Sequence, residues 1–232
     1  MGRERVYFYA HPEQELREVE WIHYGRYLDE RIRGKPTQYI TKRQEFWGRD
    51  FRVTPDVLIP RPETELLVEA VLQRRPSPGR IIDVGTGSGA IAASLGAIAC
   101  DISWPALQVA RENGAAPLIQ ADLLTCFADS SFDVVVSNPP YVPLADGPAM
   151  QREVRDFEPH LALFAGNDGL EIYRLLIPQA RRVLKPGGLL ALEIGIGQEA
   201  PLRELLQDWN QIEFLPDLAG IPRVLLCQKT YV

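Results

Sequence analysis

The sequence predicts an α/β fold, with one open seven-stranded sheet flanked by helices and preceded by a small N-terminal helix and a β-hairpin. Three observations carry this. The apolar run Ile81-Ile82-Asp83-Val84 leads directly into Gly85-Thr86-Gly87-Ser88-Gly89 and then into the helix-forming Ala90-Ile91-Ala92-Ala93-Ser94-Leu95. Strand, glycine turn and helix are the ligand-binding crossover of open α/β sheets. Strand-like and helix-like stretches alternate through the rest of the chain. Successive strand ends carry Asp83, Asp101 and Asp122, and the next carries Asn138-Pro139-Pro140-Tyr141.

The elements follow in order. Residues 13–33 read as a helix, with Pro12 near its start, Gly34 just past its end and acidic residues in its first turns. Leu16, Val19, Ile22, Leu28 and Ile32 supply an apolar side, and Trp21, Tyr24 and Tyr27 make the helix aromatic. That side is expected to pack against the main domain or a neighbouring helix; a partner-binding face is the alternative. Residues 38–53 read as a hairpin turning at Gly48. Helices are expected near 63–74, 105–113, 169–184 and 198–208. Strands are expected near 80–84, 97–101, 117–121, 132–137, 188–194, 211–215 and 223–229. Lys185-Pro186-Gly187-Gly188 is a helix stop before a strand. The division is an N-terminal helix and hairpin over 1–50 and an α/β domain over 51–232. Residues 85–96 are close to the minimum of roughly 10–12 residues that a βαβ crossover needs. The link Arg111–Pro117 is equally terse.

Composition bounds the function. The 232 residues are 24% charged and 46% hydrophobic, so the chain is globular. A formal charge of −6 gives no general nucleic-acid footprint. Cys100, Cys126 and Cys227 are scattered, fit no metal spacing and suit a reducing, cytoplasmic compartment. His11, His23 and His160 stand isolated, so no metal is expected. No run resembles a membrane span or a signal peptide, so no membrane partner is expected.

The motifs carry more. Glycines at 85, 87 and 89 let backbone approach a ligand closely. Their G-x-G-x-G spacing differs from the G-x-G-x-x-G of dinucleotide enzymes and suits a nucleoside with a small charged tail. Asp101, at a strand end, can accept hydrogen bonds from both ribose hydroxyls, and Asp122 can bind a base edge. Taken singly, each Asp is an ordinary strand-end turn residue. In Asn138-Pro139-Pro140-Tyr141, proline fixes its own φ and restricts the residue before it. The loop therefore presents acceptors, the Asn138 side-chain oxygen and the Pro139 carbonyl, beside the flat face of Tyr141. A planar group bearing an NH2 fits that site; a proline-rich turn closing a strand is the alternative.

Asp83–Gly89 followed by Ser137–Tyr141 resembles a class I S-adenosylmethionine-dependent methyltransferase acting on a planar amino or amide nitrogen. The run Val57-Leu58-Ile59-Pro60-Arg61-Pro62-Glu63-Thr64-Glu65-Leu66-Leu67-Val68-Glu69 resembles the protein-(glutamine-N5) methyltransferases of the HemK/PrmC type, which modify the glutamine of the Gly-Gly-Gln loop in peptide chain release factors. Gln44–Gly48, Leu184–Gly188, Leu192–Gly195 and Gly220–Arg223 are further similar stretches. The resemblance implies a Rossmann-like methyltransferase sheet with an antiparallel last strand, S-adenosylmethionine as cofactor and a release factor as substrate. No direct nucleic-acid partner is expected from the charge balance, and a monomer is expected. The family's first N-terminal helices have no counterpart here, so a shortened substrate-docking region is expected.

The resemblance also implies roles. Gly85, Thr86, Gly87, Ser88 and Gly89 seat the methionine part, Asp101 the ribose, and Asp122 and Leu123 the adenine. Thr64 contacts the methionine carboxylate or is an ordinary first-turn helix residue. Arg61 pairs with a carboxylate or faces solvent. Asn138 and the Pro139 carbonyl accept the two NH2 hydrogens, Pro140 stiffens the loop, Tyr141 holds the amide plane, and Asn138 also touches the cofactor. An amide nitrogen is a poor nucleophile, so catalysis must come from positioning and electrostatics. A glutamine in a ribosomal protein, an adenine-N6 site in DNA and a non-catalytic S-adenosylmethionine-binding role are the alternatives.

Overall fold

The computed structural model describes residues 5–77 and 79–231. Residues 1–4 of the expected N-terminal segment lie outside that range. In chain order the elements are α1 (Arg5–Ala10), α2 (Glu18–Ile32), α3 (Thr37–Thr41), β1 (Arg43–Phe46), β2 (Arg49–Arg52), α4 (Glu65–Arg74), β3 (Ile81–Val84), α5 (Ala90–Leu95) and β4 (Ile98–Asp101). They continue with α6 (Trp104–Glu112), β5 (Leu118–Gln120), β6 (Phe132–Ser137), α7 (Arg152–Phe157), α8 (Glu171–Val183), β7 (Leu184–Glu193), α9 (Glu199–Leu205), β8 (Trp209–Pro216) and β9 (Pro222–Lys229).

Seven strands form one sheet in the order β5-β4-β3-β6-β7-β9-β8. The first five run parallel, and β9 is antiparallel to both β7 and β8, as expected for the last strand. Alternation along each strand sends successive residues to opposite faces. Ile82, Val84, Val135, Leu190 and Leu192 bury against Tyr173, Leu176, Ile177, Ala180 and Val183 of α8 and Leu202 of α9. Ile81, Val134, Val136, Leu189 and Ala191 bury against α4, α5 and Ala110 of α6. A sheet covered on both faces explains why its central strands read as unbroken apolar runs. The terse crossover over 85–96 closes because α5 is short and Gly96 ends it in the left-handed region.

Two expectations near the N-terminus change. The helix expected over 13–33 begins only at Glu18. There the Arg17 backbone N–H donates to Glu20 Oε2 at 2.9 Å and the Arg17 guanidinium donates to Glu20 Oε1 at 2.8 Å, tying down the first turn. The helix buries none of its residues: Val19, Trp21, Ile22 and Ile32 are all exposed, so packing against the main domain is not what its apolar side does. An ion pair of 2.6 Å from Arg31 to Glu153 of α7 ties its C-terminal end to the body. The hairpin expected over 38–53 is confined to β1 and β2, because Pro36 starts α3 and Lys42, at φ 60°, ends it. Trp47 and Gly48 both have positive φ, the backbone that a tight two-residue hairpin turn requires. Phe46 and Phe51 are fully buried with the α4 face of the sheet. Asn113 at the end of α6 holds the hairpin by accepting from Arg52 N at 2.7 Å and donating to Arg52 O at 2.9 Å.

The stop at Lys185-Pro186-Gly187-Gly188 lies where α8 ends, and its residues bulge between the pairs Phe132↔Leu184 and Val134↔Leu189. Helix α7 and a 3-10 turn over Leu144–Ala149 were not foreseen. Val154 of α7, with Met150 just past the turn, lines a cavity beside the loop after β6, where the site is built.

Candidate active site

A cavity of about 240 Å³ opens over the C-terminal ends of β3, β4 and β6. Sheet order reverses between β4, β3 and β6, and such a switch point leaves a crevice because successive crossovers depart in opposite directions. Gly85, Thr86, Gly87, Ser88, Asp101, Asp122, Leu123, Asn138, Pro140 and Thr64 all line it, with Arg61, Ile172 and Leu175 closing other sides.

The glycine loop is held by backbone hydrogen bonds. Gly85 N and Thr86 N donate to Cys100 O at 2.9 and 3.0 Å. Gly87 N donates to Asp101 Oδ2 at 2.9 Å, and Ser103 N to Asp101 Oδ1 at 2.9 Å. Each Asp101 oxygen thus keeps one lone-pair direction for a further donor. Burial pushes the Asp101 carboxyl up from its ordinary value, against the pull of those N–H groups. Asp83 plays another part. It is fully buried and absent from the cavity wall. Its Oδ2 accepts from Thr86 Oγ1 at 2.6 Å and from Ala92 N at 3.1 Å, satisfying the first turn of α5. Its Oδ1 is buried without a partner among the described residues, and burial pushes the group up to about 7.

Gly89 also stands apart from the cavity. A methyl group there would meet Ala110 Cα, Ala110 Cβ and Ala115 Cβ at 3.0 Å, so this glycine lets α5 pack on α6. At Gly85 and Gly87 a methyl group would meet nothing within 4 Å, leaving an open cradle in front of the loop. That cradle, the paired acceptors of Asp101 and the apolar wall of Val84, Ile91, Ile102 and Ala106 fit S-adenosylmethionine.

The loop after β6 is anchored first. Ser137 Oγ donates to Val84 O at 2.6 Å, fastening the end of β6 to the end of β3. Asn138 Nδ2 donates to Thr64 Oγ1 at 3.2 Å, and Thr64 Oγ1 donates to Glu193 Oε2 at 2.6 Å. Asn138 Oδ1 receives no hydrogen bond from any described residue and is not sealed off from solvent. Pro139 is buried and lines neither cavity, and no described donor reaches its carbonyl. Tyr141 lines a second, adjoining cavity of about 130 Å³ with Val142, Met150, Val154, Leu163 and Glu193. Asn138 and Arg61 belong to both cavities.

Three residues that sequence reasoning passed over support the site, two of them at this loop. Glu193, buried at the end of β7, accepts from Tyr141 Oη at 3.3 Å as well as from Thr64. Burial pushes it up to about 7 despite those hydrogen bonds. Burial likewise pushes the Tyr141 hydroxyl well above its ordinary value, with the Glu193 charge adding to the effect. Gln198 Nε2 donates to Tyr141 O at 3.0 Å and to Gly169 O at 3.2 Å. Glu158, also buried, accepts from Ile59 N at 3.1 Å and pairs with the Arg61 guanidinium, so Arg61 has a carboxylate partner. Glu193 had a visible signal: an acid ending the apolar run Leu189–Leu192, as Asp101 ends Ala97–Cys100. Gln198 and Glu158 had none.

Among the described residues, no group of three or more His, Cys, Asp or Glu could hold a metal ion, and no helix is long and apolar enough to cross a membrane.

Residues 1–41 match the family model described as the PrmC N-terminal domain, and residues 62–154 match the methyltransferase small domain. The release factor glutamine methyltransferase of Koribacter versatilis is 46% identical over 97% of this chain and 86% of its own length. The enzyme of the same name from Moorella thermoacetica is 43% identical over 95% of this chain and 84% of its own length. Among solved structures, the hMettl16 catalytic domain in complex with MAT2A 3'UTR hairpin 6 aligns with a TM-score of 0.61 at 17% identity, covering 87% of this chain and 92% of that one. A ribosomal protein L11 methylase from Lactobacillus delbrueckii subsp. bulgaricus aligns with a TM-score of 0.56 at 23% identity, over 81% and 90% of the two chains. At those identities the structural likeness speaks to the fold alone.

Proposed function

We propose, from the premise that this chain belongs to the release factor glutamine methyltransferase family, that it methylates the side-chain amide nitrogen of the glutamine in the Gly-Gly-Gln loop of peptide chain release factors. The observation that carries this is Asn138, which lines two adjoining cavities and keeps its Oδ1 open to an incoming donor. S-adenosylmethionine, when bound, supplies an electrophilic methyl group on a sulfonium. Gly85, Thr86, Gly87 and Ser88 would hold its methionine part, Asp101 its ribose, and Asp122 and Leu123 its adenine. The glutamine amide would enter from the second cavity. Asn138, which lines both cavities, would accept one NH2 hydrogen at Oδ1, and the Pro139 carbonyl, left without a described donor although Pro139 lines neither cavity, would accept the other once the amide is seated; this fixes the nitrogen toward the first cavity and favours the positive charge that develops on it. Tyr141 would lie along the amide plane.

The release factor is the partner, docked in part by the N-terminal residues 1–50, with 51–232 carrying the chemistry. A net charge of −6 supports a protein partner over nucleic acid. We place the enzyme as a monomer in a reducing cytoplasm, in keeping with three free thiols. The test is transfer of a labelled methyl group with release factor, ribosomal proteins and DNA offered side by side. Label on the release factor glutamine is expected, and label only on ribosomal protein or DNA would overturn the substrate assignment.

A further inference from the structure

The side-chain amide of Asn138 can present either its oxygen or its NH2 to an acceptor, since the two ends have nearly the same shape. Only the oxygen can receive an N–H from a glutamine amide. What selects that orientation is visible in the hydrogen bonds behind the loop. The Thr64 hydroxyl has a single proton, and it points to Glu193 Oε2 at 2.6 Å. Its lone pair therefore faces Asn138, which must turn Nδ2 toward it, at 3.2 Å, and leave Oδ1 outward. The same carboxylate accepts from Tyr141 Oη through its other oxygen. One buried acid at the end of β7 thus touches, directly or through one hydroxyl, both polar side chains of the Asn138–Tyr141 loop.

We propose that Glu193 is a positioning residue that sets the direction of the Asn138 amide through the Thr64 hydroxyl, and so makes the loop an acceptor of amide N–H groups. The inference rests on the glutamine reading above. A neutral side chain at 193 no longer obliges Thr64 to give its proton away. Thr64 is then free to donate to Asn138 Oδ1, which turns the NH2 toward the substrate and sets donor against donor. The same reversal accompanies protonation of Glu193 itself. The groups that face it are Thr64 and Glu63 from the turn before α4, Tyr141 from the loop after β6, Arg223 from β9 and Tyr173 from α8, whose hydroxyl donates to the Glu193 carbonyl at 2.7 Å. Arg61 shares the second cavity with it but is paired to Glu158. Thr64, for its part, cannot give its proton to a methionine carboxylate while it gives it to Glu193.

The experiment compares wild type, Glu193→Gln, Thr64→Val and Thr64→Ser in single-turnover methylation of intact release factor across pH, with S-adenosylmethionine affinity measured by calorimetry. Glu193→Gln should lower the rate at saturation by about tenfold or more, the scale of misdirecting one preorganised hydrogen bond. Affinity for S-adenosylmethionine and KM for release factor should move far less. Wild type should lose rate as pH falls through the neighbourhood of 7, and Glu193→Gln should lose that limb. Thr64→Val should resemble Glu193→Gln, and Thr64→Ser, which restores the hydroxyl, should approach wild type. A Glu193→Gln enzyme with wild-type rate and pH profile overturns the inference. So does a Thr64→Val enzyme equal to Thr64→Ser, or one whose rate loss is matched by loss of S-adenosylmethionine affinity. If Glu193→Gln does not fold, by circular dichroism, the Thr64 pair decides. A wild-type enzyme that leaves release factor unlabelled refutes the substrate assignment and this inference with it; a wild type that labels it beside an unaffected Glu193→Gln refutes the inference alone.

Discussion

Replacing Asn138 by alanine removes the open Oδ1 and leaves the S-adenosylmethionine cavity otherwise intact. The fold should survive. The lost intramolecular contact is one 3.2 Å hydrogen bond to Thr64 from a half-buried side chain, a cost of about 1 kcal/mol. Ser137 continues to hold the end of β6 to Val84 through a 2.6 Å bond, so the loop keeps its base. The catalytic loss should be larger. An acceptor that is aimed before the substrate arrives acts on charge appearing in the transition state, and losing one such group costs roughly 3–4 kcal/mol, or a hundredfold or more in rate. Asn138→Asp separates alignment from acceptor capacity. It keeps an oxygen but removes the donor to Thr64, whose one proton already goes to Glu193 at 2.6 Å. A second carboxylate then sits against the first across a single hydroxyl, so Asn138→Asp should also be impaired. The assay is single-turnover methylation of release factor beside calorimetric affinity for S-adenosylmethionine. Near-normal turnover by Asn138→Ala would mean that the loop is only a structural turn and would refute the reasoning.

Other perturbations follow from the same contacts. Gly89→Ala should lower thermal stability more than Gly87→Ala, because both positions have positive φ but only Gly89 would set a methyl group 3.0 Å from Ala110 and Ala115; the difference should be on the order of 1–3 kcal/mol, whereas Gly87→Ala should weaken cofactor binding more, and the reverse ranking in melting and calorimetry would contradict the division. Asp101→Ala removes the acceptor of Gly87 N and Ser103 N and both sites for ribose hydroxyls; S-adenosylmethionine should bind at least about tenfold more weakly, and unchanged affinity would take Asp101 out of the site. Burial raises both Asp83 and Glu193 to about 7. Stability from such raised groups is fully present below the ordinary carboxylate range and is lost as pH rises through about 7, by on the order of 3 kcal/mol per group. The urea midpoint should therefore fall between pH 5 and pH 8, and fall less in Glu193→Gln; a midpoint that rises over that window would be inconsistent with either acid being buried in this way.

Much of the sheet was legible because its strands are buried on both faces and so read as continuous apolar runs bounded by turn residues. The glycine loop was legible for a related reason, since close backbone approach and left-handed φ leave few residue choices. Gly89 shows the limit of that reading. Its place in the motif is the same as that of Gly85 and Gly87, yet it serves helix packing, and only the position of Ala110 and Ala115 in space reveals it. The N-terminal helix failed differently. Its apolar side was visible, but what covers a helix is a tertiary fact, and Val19, Trp21 and Ile22 remain exposed. Glu158 and Gln198 were illegible because each acts on backbone far away in sequence: Glu158 on Ile59 and Gln198 on Tyr141.

The order of strands gives these separate pieces one origin. β3 lies between β4 and β6, so its glycine loop has the Asp101 carboxylate on one side and the Asn138 loop on the other. β7 is the next neighbour beyond β6, and the register Ser137↔Leu192 puts Glu193 one residue past the point where β6 ends. An acid there can reach the Asn138 loop only because the two strands are parallel and end together. Thr64 comes from a different part of the chain, the turn that opens α4, a helix packed on one face of the sheet, and its hydroxyl bridges Asn138 and Glu193. The acceptor loop is therefore aimed by residues from two other elements that need not be near it in sequence. A sequence can carry Asn-Pro-Pro-Tyr intact and still lose the aim if position 64 or 193 changes. By this argument the loop motif and its buried support should be judged together when the chemistry of such a chain is read.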